Sequence, residues 1–315
     1  MSDMSDIRVY IKAATQISMQ QPLSEAWMTA PVEHTEPYVR SLDPNFRDWL
    51  NPLESRRMGK ILKRALVTAQ KVMHDSGVQQ PDAVITGTGL GCIENTELFL
   101  DQLCREGEEM LKPTYFMQST HNTISSLISI HDHLHGYNTT YSHKSVSFDS
   151  ALLDAFTQLR LGDIQTALVT GNDEMTPSYF SILQRAGYVG QPGQVAAGET
   201  SVAMMLTTDP ADALCEIEEV SMSVRGVQQP FAPADLLMLG TNGVPQNDQL
   251  YREVAQQMPG VETFEYKRLF GESYTVSGLG VYAAAHLLSQ GRAGRVLFVN
   301  HSDNLNVTFV TLKTV

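Results

Sequence analysis

The clearest hydrophobic pattern in the chain is helical and covers residues 58–76. Apolar residues recur there at every third or fourth position, as they do along one face of an amphipathic helix. Gly77 follows, and glycine commonly ends a helix because it adopts the left-handed conformation at little cost. The segment therefore predicts a long helix with one buried face and one solvated face.

Short apolar runs, separated by helical segments, occupy much of the remaining chain. They are four to six residues long and rich in β-branched side chains, which is typical of buried strands. A more polar strand is predicted over residues 137–142, before a helix that opens at Ser145 and ends at Gly162. This alternation indicates an α/β fold with a parallel or mixed sheet. The predicted buried strands cover residues 83–86, 166–170, 201–206, 295–299 and 307–312.

A weak internal repeat relates the two parts of the chain. One predicted helix ends at Gly162 before the strand at 166–170, and another ends at Gly291 before the strand at 295–299. The two copies are offset by 129 residues, which indicates a duplicated domain. The same offset relates the helix start at Ser145 to residues 272–274. We therefore expect two equivalent helix starts to meet at one site, within one compact body.

Composition describes an ordinary globular chain and argues against several classes of function. The 315 residues are 42 % hydrophobic and carry a formal net charge of −13, which disfavours nucleic acids and anionic membranes as partners. No apolar stretch reaches the length of a membrane span, and the acidic N-terminus lacks the apolar core of a signal peptide. Cys92, Cys104 and Cys215 show no paired spacing, so we interpret them as reduced thiols of a cytoplasmic protein.

Ser145 is the first candidate for chemistry because it opens a predicted helix. A helix dipole stabilises an anion at the helix N-terminus, and this helps a thiol far more than a hydroxyl. A serine needs a neighbouring base, and residues 143–147 lack the Gly-x-Ser-x-Gly pattern of a hydrolase elbow. The local sequence leaves two interpretations, a nucleophile or the place of a lost one.

Two further motifs have ordinary structural explanations. The glycine-rich residues 87–91 have G-x-G-x-G spacing, which differs from the dinucleotide fingerprint and favours a tight structural turn. His131 and His135 are spaced for one helical turn and could hold a metal. The segment that contains them ends at Gly136, however, so the last turn of a helix explains these histidines better. We predict no cofactor and no metal site.

A basic cluster surrounds the start of the helix predicted over residues 58–76. The usual explanation is a solvated helix face. In a chain with 22 basic and 35 acidic residues, the cluster is also a candidate docking patch for an acidic partner. It comprises Arg56, Arg57, Lys60, Lys63 and Arg64.

The order of these segments resembles the β-ketoacyl synthase family, over nearly the whole chain. Residues 239–241 (Leu-Gly-Thr) are similar to the family's His-Gly-Thr motif, and residues 267–272 are similar to its Lys-x-x-x-Gly-His motif. Gly136 precedes Ser145 by nine residues, at the place of the glycine that precedes the family's nucleophile. The resemblance implies an α/β thiolase-like fold, in which halves 1–208 and 209–315 form a five-layer αβαβα sandwich.

The catalytic positions that the resemblance implies are altered in this chain. An active synthase carries the acyl chain on a cysteine and uses two histidines to assist decarboxylation and to stabilise the oxyanion. The matching residues here are Ser145, Leu239 and Glu272, while the family's lysine is kept as Lys267. The pattern is similar to that of chain-length factors, which lack the nucleophile and pair with an active synthase. The short length and degenerate motifs look closer to the factors of aryl polyene and flexirubin pathways than to the long polyketide type.

The resemblance also implies a dimer and a site for an acyl carrier protein. In this family the strand before the nucleophile, here 137–142, pairs across a two-fold axis, and the helix before it, here 119–130, reaches toward the partner's acyl tunnel. The partner is expected to be an active ketosynthase or a second copy of this chain. The expected interface or tunnel residues are Thr120, His121, Asn122, Thr123, Tyr137, Asn138 and Thr139, and the expected carrier-docking residues are Arg56, Arg57 and Lys60.

Two other functions stay open at this point. Ser145 could serve an acyltransferase or hydrolase acting on acyl-carrier or coenzyme A thioesters, with His301 or His121 as base and Glu272 as the orienting carboxylate. A condensing enzyme with unusual residues is the third possibility. Leu239 argues against it, because leucine cannot donate a hydrogen bond or carry a charge.

Overall fold

A computed structural model describes residues 7–224, 231–302 and 305–315. The strands within these ranges are β1 Val9–Ile17, β2 Ala83–Gly87, β3 Tyr137–Tyr141, β4 Thr166–Asp173, β5 Thr200–Thr207, β6 Cys215–Val224, β7 Leu236–Leu239, β8 Glu262–Glu265, β9 Arg295–Ser302 and β10 Asn306–Lys313. The α-helices are α1 Pro52–Ser55, α2 Lys60–Ser76, α3 Ile93–Glu106, α4 Pro113–Gln118, α5 Thr123–His131, α6 Ser147–Leu161, α7 Pro177–Arg185, α8 Pro245–Gln257, α9 Tyr266–Phe270 and α10 Val276–Ser289.

The strand order shows the duplication that the sequence repeat predicts. The first half has the order β3-β2-β4-β5-β1 from its outer edge inward, and the second half has the corresponding order β8-β7-β9-β10-β6. Strands β4 and β9 begin 129 residues apart, as do helices α6 and α10. The halves join where β1 pairs antiparallel with β6. The predicted boundary at residues 208 and 209 falls between β5 and β6, and it stays a prediction.

Helices and sheet halves alternate in five layers, which confirms the predicted architecture. Helices α6 and α10 lie in the middle, where they share the largest hydrophobic core with strands of both halves. Helices α2 and α5 cover the outer face of the first half. Helix α8 covers the outer face of the second half. Both central helices are therefore held between two apolar surfaces, which fixes the positions of their N-termini.

The predicted buried strands are confirmed, but several extend further than the apolar pattern indicates. Strand β4 continues to Asp173 and β9 continues to Ser302. The added residues are polar, yet they are paired in the sheet and buried, as Asn172 and Asn300 show. Because their backbone groups are satisfied by neighbouring strands, a strand need not stop where the side chains become polar.

Two predicted helix starts are wrong. Helix α2 begins at Lys60, after the extended residue Gly59, so Arg56 and Arg57 lie in the turn that follows α1. The helix expected over residues 119–130 is α5, which begins at Thr123. Both errors arise where a shorter helix, α1 or α4, precedes the main one, because a continuous pattern hides the break between them.

The histidine segment lies mostly beyond a helix end and not in its last turn. Helix α5 ends at His131, and His133 has the left-handed φ of 54°. The His131 Nδ1 atom lies 2.9 Å from an oxygen of Asp132. Across the described ranges, no group of three or more His, Cys, Asp or Glu side chains is placed to hold a metal ion. None of the helices described is long and apolar enough to span a bilayer.

Candidate functional site

Ser145 lies on a tight turn between β3 and α6, and not in the first turn of a regular α-helix. Residues Lys144–Val146 form a 3₁₀ turn, and Lys144 has the left-handed φ of 49°. The Ser147 hydroxyl donates to the Lys144 carbonyl at 2.6 Å and accepts from the His143 N–H at 2.8 Å. These bonds hold the turn in a conformation that non-glycine residues rarely adopt, a feature often found at functional positions.

A cavity of about 240 Å³ opens beside Ser145. Its walls come from both halves, because Ser145 precedes α6 and the segment from Glu272 to Tyr274 precedes α10. This is the convergence of equivalent helix starts that the repeat predicts. Other polar residues in the lining are Lys144, Asn242, Asn247, Tyr251, Lys267, Ser273 and His301, and the larger apolar or aromatic ones are Met175, Leu183, Tyr188 and Val189.

Lys267 and Glu272 form an ion pair in the wall of this cavity. The Lys267 Nζ atom donates to Glu272 Oε2 at 3.0 Å, and the Asn242 side chain donates to the same oxygen at 2.8 Å. The side chains of Lys267 and Glu272 are 6 % and 16 % exposed. The ammonium of Lys267 is therefore neutralised inside the site, so it is not an unpaired positive charge for a ligand.

Leu239 lies behind the cavity and not in its lining. It ends β7 and packs in the outer core of the second half, in the same cluster as Tyr251 and Val299. Gly240 and Asn242, which follow it, are the lining residues of this segment. Of the four positions that the resemblance singles out, Ser145, Lys267 and Glu272 come together at the cavity, and Leu239 is a core residue.

His301 shares the cavity with Ser145, whereas His121 does not line it. His301 stands near the end of β9, with its Nε2 atom 2.9 Å from the Asn247 carbonyl oxygen. A carbonyl accepts only, so Nε2 carries the proton. Glu272 is paired with Lys267 and Asn242, so the carboxylate–histidine arrangement expected from the sequence is wrong, and the Asn247 carbonyl orients the imidazole instead.

The side chain of Asn300 holds the turn at Ser145 through hydrogen bonds. Its Nδ2 atom donates to the Ser145 carbonyl at 2.8 Å and to Asp149 at 2.6 Å, and its Oδ1 atom accepts from the Tyr266 hydroxyl at 3.1 Å. Burial raises the pKa of Asp149 to about 7. Sequence reasoning missed the roles of Asn300 and Asp149. The available signal was an asparagine directly after the apolar run at the end of a buried strand.

Tyr251 also escaped sequence reasoning. It lies on α8, is 1 % exposed, and its ring centroid is 4.8 Å from that of His301. Gly240 leaves room for it, because a Cβ at Gly240 would collide with the hydroxyls of Tyr251 and Tyr266. In the described ranges the Tyr251 hydroxyl has no hydrogen bond of normal geometry. The hydroxyl is buried next to that of Tyr266, behind the cavity wall.

The residues expected at a dimer interface lie away from this cavity, at the outer edge of the first half. Strand β3 pairs with β2, and its other edge has no partner strand within the described residues. Thr120, His121 and Asn122 are exposed in the connection before α5. Large exposed apolar side chains occur on the same stretch of chain. They are Phe116, Met117, Ile130 and Tyr137. Also from this stretch, Asn138 is exposed, and Thr123 and Thr139 are half-buried.

The basic cluster is smaller on the surface than the sequence suggests. Arg64 is buried and its guanidinium binds Asp43 at 2.5 Å and Glu199 at 2.9 Å, so it ties α2 to the first half of the sheet. Lys60 binds the other oxygen of Asp43 at 3.1 Å. Of the three residues expected to dock a carrier protein, Arg56 and Arg57 are exposed on the α1–α2 turn, and Lys60 is exposed but paired.

Comparison with known proteins agrees with this description. Residues 13–236 match the family model of the beta-ketoacyl synthase N-terminal domain. No curated protein matches the chain. Among solved structures, a type II polyketide synthase acyl-carrier protein in complex with its ketosynthase matches with a TM-score of 0.81 at 12 % identity, covering 98 % of this chain and 99 % of that one.

Two further solved structures are similar. The ishigamide ketosynthase/chain length factor matches with a TM-score of 0.78 at 17 % identity, over 98 % of this chain and 99 % of that chain. A ketosynthase in complex with its chain length factor from Xenorhabdus doucetiae matches with a TM-score of 0.77 at 13 % identity, over the full length of both chains. At these identities the likenesses show a shared ketosynthase fold.

Proposed function

This chain belongs to the β-ketoacyl synthase family, and we propose that it is a non-catalytic, chain-length-factor-like subunit that pairs with an active ketosynthase. The observation that carries the proposal is the environment of Ser145. Its hydroxyl makes no hydrogen bond to any described side chain, although His301 lines the same cavity. A serine hydroxyl without a base in contact is a poor nucleophile at neutral pH.

The electrostatics of the cavity also disfavour condensation. Decarboxylative condensation develops negative charge on an enolate or oxyanion, which a competent site stabilises with preorganised donors or positive charge. Glu272 places a carboxylate at this cavity, and Lys267 is engaged with that carboxylate at 3.0 Å. The site therefore offers little net positive potential, and an active condensing enzyme is the least supported of the three functions.

The open edge of β3 supports the pairing part of the proposal. An exposed strand edge is a template for another chain, and exposed apolar side chains of this size are common at interaction surfaces. Ile130 is 72 % exposed and Met117 is 71 % exposed. In this proposal the surface formed by α4, α5 and β3 contacts an active ketosynthase, and residues 120–123 approach its acyl tunnel.

The remaining parts of the proposal concern the carrier protein and the pathway. An acyl carrier protein docks near Arg56 and Arg57, because these two exposed cations stand out on a chain of formal charge −13. The pair works in the cytoplasm, in fatty acid, polyketide or aryl-polyene-type synthesis. Complexes of ketosynthases with carrier proteins and with chain length factors among the similar structures support this context.

Co-purification tests the pairing directly. The tagged chain is co-expressed with a ketosynthase that is encoded beside it and has the intact Cys-His-His set. We expect a stable complex, lost in a Met117→Asp, Ile130→Asp double variant and kept in Leu53→Asp, since Leu53 is 83 % exposed on α1. A folded chain that never associates with that synthase would refute the proposal.

A second function keeps specific support, an acyltransferase or hydrolase reaction of Ser145 with His301 as base. The observation that favours it is the shared cavity, together with the proton on His301 Nε2, which places the basic nitrogen of the neutral ring at Nδ1. Mass spectrometry after incubation with acyl-carrier thioesters tests it. An adduct on Ser145 that disappears in His301→Gln supports this function, and its absence in the wild-type protein counts against it.

A further inference from the structure

A second cavity lies at the outer edge of the second half of the sheet. Its volume is about 250 Å³, close to that of the cavity beside Ser145, and the two cavities share no lining residue. Its walls come from strands β7 and β8, from the C-terminal part of α10 and from the segment around Trp27. Strand β8 stands at one end of the sheet and β3 at the other, so this cavity is separate from the proposed pairing surface.

The interior of this cavity is apolar and its wall is held in place. The Trp27 indole is 4 % exposed, and its Nε1 atom donates to the Tyr282 hydroxyl at 3.2 Å, so its polar group is satisfied by a residue outside the lining. Its ring meets Phe264 and Phe270 edge-on, with centroid distances of 6.3 Å and 5.7 Å. A wall fixed by such contacts is preorganised, which lowers the entropic cost of binding a ligand. The apolar and aromatic lining residues are Trp27, Met28, Pro31, Leu236, Phe264, Leu269 and Leu287.

The polar residues in the lining carry one charge of each sign. They are Glu262 at the start of β8, Gln290 after the end of α10, and Arg292. All three are exposed. Among the residues that the structure describes, neither the Glu262 carboxylate nor the Arg292 guanidinium has a hydrogen-bond or ion-pair partner. A carboxylate and a guanidinium are therefore both available to a ligand beside an apolar cavity.

These two charges restrict the head group of the ligand. An anion is attracted by Arg292 but repelled by Glu262, and the reverse holds for a cation. A zwitterion is attracted by both, and hydrogen bonds between charged groups are about twice as strong as those between neutral groups. A free α-amino acid has this combination, because its ammonium, its carboxylate and its side chain branch from one carbon atom.

The size and lining of the cavity indicate the side chain. An apolar cavity of about 150 Å³ accommodates benzene, so about 250 Å³ holds a ring with its attached methylene group. A ring in contact with Trp27 and Phe264 also gains attraction beyond that of the area it buries. We propose that this cavity binds a free aromatic amino acid, with its carboxylate at Arg292 and its ammonium at Glu262. The inference concerns this chain alone and does not depend on its pairing with a ketosynthase.

The fluorescence of Trp27 is the measurement, because the chain has two tryptophans and Trp49→Phe leaves Trp27 as the single one. The probes are L-phenylalanine, 2-phenylethylamine, which lacks the carboxylate, and 3-phenylpropanoate, which lacks the ammonium. We expect a saturable change in Trp27 emission with L-phenylalanine and about threefold weaker binding of each analogue, the effect of one exposed ion pair. L-Alanine, which keeps both charges but lacks the ring, should give no saturable change.

Two variants in the same background assign the contacts of the head group. In Arg292→Gln, L-phenylalanine should bind no better than 2-phenylethylamine, and in Glu262→Gln it should bind no better than 3-phenylpropanoate. Arg47→Gln and Glu54→Gln are the matched controls, since they remove exposed charges from the first half, and they should change none of the affinities. Because all four side chains are exposed, the variants should fold, which circular dichroism checks.

Two results would overturn the inference. One is a folded protein in which L-phenylalanine gives no saturable change in Trp27 emission. The other is a pattern of affinities that does not depend on the two charges, whether all three probes bind equally or the preference for L-phenylalanine survives in both variants. Neither result affects co-purification with a ketosynthase, so failure of this inference is distinguishable from failure of the proposed pairing.

Discussion

The ion pair in the cavity wall makes a sharp prediction about stability. Glu272→Gln removes a negative charge but keeps the size of the side chain and leaves an oxygen that can accept from Asn242. The variant therefore isolates the loss of charge next to Lys267, whose side chain is 6 % exposed. Breaking a buried ion pair from one side typically costs about 3–5 kcal/mol, because an uncompensated charge stays buried. Since Glu272 is 16 % exposed, we expect the lower end, about 3 kcal/mol.

The assay is equilibrium unfolding in urea at pH 7, read by far-ultraviolet circular dichroism. Lys267→Met combined with Glu272→Gln should recover about 2 kcal/mol of that loss, because no charge is then left buried without a partner. Asp75→Asn is the matched control, since it breaks the Lys71–Asp75 pair on the surface of α2. An exposed pair four residues apart on a helix contributes about 0.3–0.5 kcal/mol.

Salt gives a second measurement of the same reasoning. In 1 M salt the Debye length falls to about 3 Å, so the contribution of the surface pair to stability should decrease. The loss of stability in Glu272→Gln should change little, because that pair is largely buried. If Glu272→Gln costs less than about 1 kcal/mol, or if the double variant is no better than the single one, Glu272 does not hold the charge of Lys267. The electrostatic part of the proposed function would then be wrong.

Three other predictions follow from the fold and the site. Burial raises the pKa of Asp149 to about 7 from an ordinary 3.8, so the folded state binds the proton more tightly than the unfolded state does. The unfolding free energy of the wild-type protein should therefore fall as the pH rises from about 4 to about 7, by up to the order of 4 kcal/mol relative to Asp149→Asn. Parallel curves of unfolding free energy against pH for the two proteins would contradict this. Arg64→Met should cost about 3–5 kcal/mol in urea unfolding, because it leaves two carboxylates without their shared cation, and a loss below about 1 kcal/mol would show that the cation is not needed. Gly89→Ala should lower the unfolding free energy by about 1–3 kcal/mol, because its Cβ would collide with the side chain of Tyr274. Gly59→Ala should lower it less, because the new Cβ meets one flexible side chain. Equal melting temperatures for the two variants would refute the collision.

Local patterns located six of the ten strands in the described ranges, whereas β1, β6, β7 and β8 were not predicted. The 129-residue offset in the sequence locates the equivalent strands β4 and β9 and the equivalent helices α6 and α10, and the structure confirms both pairs. The pattern failed where polar residues are buried inside strands or where two helices adjoin. Asn300 continues a strand because its amide is satisfied by Asp149 and by the Ser145 carbonyl, both distant in sequence.

The candidate site divides in the same way. The sequence alone determined the duplicated α/β architecture, because periodicity is a local property, and its resemblance to the β-ketoacyl synthase family implied that Ser145, Leu239 and Glu272 stand at the family's catalytic positions. The tertiary structure decided that Glu272 neutralises Lys267, that Leu239 is a core residue and that Tyr251 packs against His301. These facts depend on which side chains meet after two halves of the chain pack together, and a contact between distant residues leaves no periodic trace in a single sequence.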